Sequence, residues 1–193
     1  MPDVGLYLLE RTLTIHVGML VSLLFSLTFL VAPTASLSGI SERVAIICML
    51  TLALRLWDDL ADVEYDRETH PDRVLCRSKN QLAFVWTLFA ILCAAGIFLL
   101  LVRSPWYAAV LICTLALLCL IYLSNLRRRL SGALVLCKYP VIIGLAVPTS
   151  GIARTPGRLI LAMTAGWLCV AAYDTMGHYF CADKYLSDRK TKS

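Results

Sequence analysis

Residues 55–73 read RLWDDLADVEYDRETHPDR and hold five aspartates, two glutamates and three arginines. Asp59, Asp62 and Asp66 are spaced i, i+3, i+7, so a helix would carry all three carboxylates on one face. Asp58 lies beside that face, four residues before Asp62. Carboxylates this close repel one another and lose solvation near a bilayer, and a cation is the plainest compensation. Hard oxygen donors select Mg2+ or Ca2+, and Mg2+ commonly takes one or two carboxylates together with phosphate oxygens. Arg67 and Arg73 follow closely and carry donors suited to phosphate. The plain alternative is a solvated charged loop. Against it, the cluster begins inside an apolar helical run, ALRLWDD, and keeps helical register for two turns.

The elements that must position this cluster are apolar. Of 193 residues, 59% are hydrophobic and only 16% charged, and the mean hydropathy is +0.75. A soluble domain usually carries about 25% charged residues. Apolar runs occupy 16–31, 44–57, 82–102, 106–123, 133–148 and 159–173. Roughly 20 apolar residues cross the hydrocarbon core. The expectation is therefore an all-α, polytopic membrane bundle in one domain, 1–193, with helices at about 13–32, 42–60, 81–103, 105–126, 131–149 and 157–180. The second, fifth and sixth are short or polar at one end, as helices are where their ends line a site.

Twelve lysines and arginines fall on the side of the N-terminus and four on the other, which predicts that both termini and the acidic cluster are cytoplasmic. The net charge of +5 follows from this asymmetry and from anionic headgroups, so membrane lipids are expected partners and nucleic acid is not. The eight cysteines show no metal-ligand spacing, and six lie in apolar runs, where Cys packs as a small hydrophobe. Residues 1–15 mix acidic and basic groups and do not read as a signal peptide. Lys138, flanked by LVLC and YPVIIG, is costly if it faces lipid, so it either snorkels or faces a cavity. The sixth helix ends in YDTMGHYFCAD, again placing aspartates at the predicted cytoplasmic end of a membrane helix.

Residues 58–75, DDLADVEYDRETHPDRVL, resemble the signature of the UbiA superfamily of intramembrane prenyltransferases. That family's first motif is N-D-x-x-D-x-x-x-D followed by a P-x-R-P-L-like segment. Asp58 takes the Asn position, Asp59, Asp62 and Asp66 match the aspartates, and Pro71, Arg73 and Leu75 follow at the expected spacing. The cluster also contains DDLAD, the DDxxD pattern of soluble isoprenyl diphosphate synthases, but the hydropathy argues against that soluble fold. The resemblance places Asp174, in AYDT, at the start of the second acidic motif, with Asp183 farther along than usual and His178 where Asp would stand. It also makes Tyr122, Asn125, Arg127 and Arg128, in YLSNLRRR, candidates for diphosphate contact, although positive-inside topology alone accounts for the arginine run. The family typically has nine membrane helices, and the resemblance covers about the first six.

The resemblance implies transfer of an isoprenyl group from a prenyl diphosphate to a hydrophobic acceptor, expected to be aromatic. Mg2+ would be held by Asp58, Asp59, Asp62 and Asp66 on one side and by Asp174 and Asp183 on the other. Arg67, Arg73, Tyr122, Arg127, Arg128 and Lys138 would bind the diphosphate, with Asn125 and His178 as lesser candidates. Two alternatives stay open: a membrane terpene cyclase of the same superfamily, and a non-catalytic membrane protein that binds prenyl diphosphate or a protein partner. CDP-alcohol phosphotransferases also carry spaced aspartates, but their D-G-x-x-A-R element is absent.

Overall fold

Long apolar runs, with proline and capping residues at their borders, divide the chain into helices. The computed structural model describes residues 2–12, 15–33, 36–123, 136–149, 152 and 155–190, with side chains over 3–11, 17–33, 36–122, 136–149, 152 and 155–173. All regular elements among the described residues are helical. They are α1 (Pro2–Thr12), α2 (Ile15–Val31), α3 (Leu37–Ala61), α4 (Val63–Thr69), α5 (Val74–Arg77), α6 (Gln81–Val102), α7 (Pro105–Leu123), α8 (Lys138–Ala146) and α9 (Pro156–Lys190). Ser36 caps α3 by accepting from the Gly39 amide at 3.2 Å, and Asn80 caps α6 by accepting from Ala83 at 3.2 Å. Pro105 and Pro156 open α7 and α9, where a missing amide hydrogen costs nothing.

Among the described residues, four helical segments are long and apolar enough to cross a membrane: Leu37–Ala61, Gln81–Val102, Pro105–Tyr122 and Pro156–Tyr173. Their outward faces fit lipid, with Trp86, Phe89, Leu101, Trp106 and Ile112 all exposed. The other two expected helices fall short of a full span among the described residues. The first is the 17-residue α2, and the fifth is reduced to the nine residues of α8. α8 starts only at Lys138, after a turn, and stops before Pro148. Residues 124–135, where the fourth helix was expected to end and the fifth to begin, lie outside the described residues. α1 was not anticipated.

α8 is nearly enclosed, packed against α2, α3, α7 and α9. Its Ile142 and Ile143 meet Leu24, Ile46, Ile47 and Leu50 in the central core. Gly166 lets α9 approach closely, since a Cβ there would stand 2.7 Å from Ile143 Cδ1 and 3.2 Å from Leu27 Cδ1. A second, smaller cluster of Tyr7, Leu56, Val74, Leu75 and Phe84 joins α1 and α5 to the end of α3 and the start of α6. The seven cysteines whose side chains are described are free thiols.

The helices alternate direction, so the bundle has two distinct ends. At one, Arg103 pairs with Glu42 at 3.2 Å and donates to the Ala146 carbonyl at 3.2 Å. There Arg43, 2% exposed, donates to the Thr28 carbonyl at 3.3 Å, and Tyr107 donates to the Val147 carbonyl at 2.9 Å. The other end holds the acidic cluster.

Candidate functional site at the acidic end

α3 brings the cluster to the end of the bundle and stops at Ala61. Asp62 leaves helical geometry (φ −101°, ψ 4°), and α4 resumes at Val63. The Asp62 amide still donates to the Asp58 carbonyl at 3.0 Å and the Asp66 amide to the Asp62 carbonyl at 2.8 Å, so the register expected for the aspartates is nearly kept across the break. Burial separates them. Asp59 and Asp66 are buried, Asp58 and Asp62 half-buried.

Asp58 faces the bundle interior. Tyr122 of α7 donates to its Oδ1, and the Lys138 ammonium at the start of α8 pairs with its Oδ2. Lys138, 3% exposed, therefore does not face lipid but is drawn inward by a carboxylate. Trp57 lies against the Tyr122 ring at 5.8 Å between centroids. Three residues that the sequence placed in one site are thus brought together from α3, α7 and α8, across separations of 64 and 80 positions.

Asp59 turns toward α1. Its Oδ2 accepts from the Tyr7 hydroxyl at 2.6 Å and pairs with Arg11 Nη2 at 2.9 Å. Arg55, one turn back on α3, stands 3.7 Å from Oδ1. Burial first, and then the Asp59 carboxylate, hold the Tyr7 phenol protonated well above its usual range. The Tyr7 ring meets Phe84 edge-on at 5.5 Å, and Arg11 stands 5.7 Å from the ring centroid. Asp66 pairs with Arg73, which reaches back from the turn before α5. Close by, burial and secondarily the Asp66 carboxylate raise the Cys76 thiol above its ordinary value, which keeps it a thiol rather than a nucleophilic thiolate.

Arg67 is exposed on α4. Asn125, Arg127 and Arg128 lie outside the described residues, and Asp174, His178 and Asp183 lie on α9 with side chains outside those described. Tyr7 and Arg11 were missed in the sequence. Their signal was present: Val4, Tyr7, Leu8 and Arg11 repeat at i, i+3, i+4 and i+7, the inner face of an amphipathic helix.

As oxygen donors the aspartates fit Mg2+. Their arrangement is closed to it, because Asp58, Asp59 and Asp66 each already hold a cationic partner. Among the described residues no three acidic, histidine or cysteine side chains gather into an ion cage. An ion would enter only as those cations turned elsewhere.

Comparison with protein-family models, curated proteins and solved structures finds no match to this chain.

Proposed function

We propose that the acidic end is a prenyl-diphosphate site and that the protein is an intramembrane prenyltransferase of the UbiA type, with six membrane helices and its acidic end cytoplasmic. The observation that supports this reading is the convergence of Tyr122 and Lys138 on Asp58. A phenol and an ammonium, both able to donate to phosphate oxygens, meet the acidic motif at the mouth of an apolar bundle. With Arg73, they would hold the diphosphate and stabilise the charge it gains as the allylic C–O bond breaks. The apolar bundle would shelter the prenyl tail and keep water from the carbocation. The acceptor, proposed to be aromatic, forms the new carbon–carbon bond and loses a proton.

Mg2+ belongs to this proposal as the ion that Asp59, Asp62 and Asp66 would hold once their cations turn to the diphosphate, with Asp174 and Asp183 as proposed opposing ligands. Its charge would offset that of the leaving group. A second reading, a non-catalytic membrane protein, is favoured by the pairing itself: Asp58, Asp59 and Asp66 are already compensated by lysine and arginine.

The test is pyrophosphate release from labelled geranylgeranyl diphosphate by protein in nanodiscs, with and without Mg2+ and acceptor. Release abolished by Asp59→Ala with Asp62→Ala supports the transferase. Release surviving that double substitution sinks the site, and a cyclic hydrocarbon formed without acceptor favours the cyclase. Binding without release, over several chain lengths and acceptors, leaves the non-catalytic reading.

A further inference from the structure

α1 touches the acidic cluster at its most buried carboxylate. Asp59 is 5% exposed and takes two of its three partners, Tyr7 and Arg11, from this one short helix. A third polar tie lies near the start of α1, where Ser78 donates to Asp3 at 2.9 Å. Two of these ties run to the last turn of α3 and the third to the residue after α5. The apolar seat is equally local: Tyr7 rests on Leu56, Val74, Leu75 and Phe84, a cluster separate from the main core. α1 is therefore seated apart from the main core, which holds none of its buried residues. It also has somewhere to go, because Leu6 and Leu9 on its outward face are 53% and 55% exposed. A short helix with apolar residues on two faces can exchange a protein seat for a bilayer surface.

We propose that α1 is a detachable clamp: Tyr7 and Arg11 hold Asp59 closed, and the carboxylate becomes available to a divalent cation only when α1 lifts from its seat. The physical basis is competition for one carboxylate. A cation entering at Asp59 must displace the Arg11 guanidinium and deprive the buried Tyr7 hydroxyl of its acceptor, so ion entry and α1 docking exclude each other. The clamp bears on the ion of the proposed prenyl-diphosphate site, but it is read without turnover.

The experiment uses the full chain in nanodiscs, with Mn2+ as a spectroscopic stand-in for Mg2+ and amide hydrogen exchange followed across α1 and α6. Tyr7→Phe combined with Arg11→Gln is expected to tighten Mn2+ binding by about tenfold or more, because a charge-assisted competitor is removed. Exchange over residues 2–12 should rise in this variant while α6 stays protected, which separates undocking from unfolding. In the unmodified protein, Mn2+ should raise α1 exchange in step with binding. Asp59→Asn should abolish that response. Unchanged or weaker Mn2+ binding in the double variant overturns the clamp, as does α1 exchange that rises only together with α6, or Mn2+ binding in neither protein. Pyrophosphate release from a protein whose α1 never responds would leave the transferase standing and the clamp fallen. Tighter Mn2+ binding without release of pyrophosphate from any substrate would do the reverse.

Discussion

The two ends of the bundle both bury charge, and they do so with different partners. At the Arg43 end, guanidinium groups donate to the backbone carbonyls of Thr28 and Ala146, near the C-terminal ends of α2 and α8. Such carbonyls carry the negative end of the helix dipole and cannot move away or change protonation. At the acidic end, carboxylates meet ammonium, guanidinium and phenol groups carried by separate helices. Each of those side chains can rotate to another partner. The first arrangement fastens helices together, and the second can be rearranged by a charged ligand.

The largest expected effect comes from breaking the inward pair at the acidic end. Lys138→Met leaves Asp58 without its cation in a largely dry setting and should cost about 3–5 kcal/mol, measured by unfolding in mixed micelles. Adding Asp58→Asn should recover much of that loss, since the remaining amide carries no charge; a double variant worse than the sum of the singles would refute the pairing. At the opposite end, Arg103→Met leaves Glu42 and the Ala146 carbonyl wanting, at about 1.5–3 kcal/mol. No partner substitution should rescue it, because half of the interaction is backbone.

Tyr7→Phe should cost about 1 kcal/mol, read as faster exchange in α1, because Asp59 keeps Arg11 and Arg55. The same tyrosine gives a pH signature. Its phenol titrates above the ordinary 10.0 when docked, so above that pH the undocked state loses the proton first and binds fewer protons. Docking strength is thus full below about pH 10 and falls as pH rises further, and Tyr7→Phe should flatten the decline. The smallest effect is expected from Arg73→Gln. The Arg73 side chain is 32% exposed, so its loss should cost less than about 1 kcal/mol and shrink with added salt.

Much of this was legible in the sequence, for identifiable reasons. An apolar run announces a membrane helix by composition alone, and both borders of α6 and the start of α7 were legible because Asn80, Arg103 and Pro105 punctuate them. Lys138 stood out because a lysine within an apolar run needs a partner. Which carboxylate it would meet was not legible, since adjacent aspartates 58 and 59 point to opposite sides only once α1 and α8 are both in place. α1 itself escaped notice because its 11 residues carry charges and fall well short of a span. Within the described residues the fifth expected helix begins later than its apolar run, because composition does not register the turn before Lys138.

The neighbouring aspartates also divide the chain in time. Asp59 looks back, to Tyr7, a residue made 52 positions earlier. Asp58 looks forward, to Tyr122 and Lys138, which are made 64 and 80 positions later. The partners of Asp59 all precede it in the chain, whereas those of Asp58 come only with α7 and α8. The Asp58–Asp59 peptide is thus the seam at which the early and late halves of the chain are joined, and Lys138 closes it.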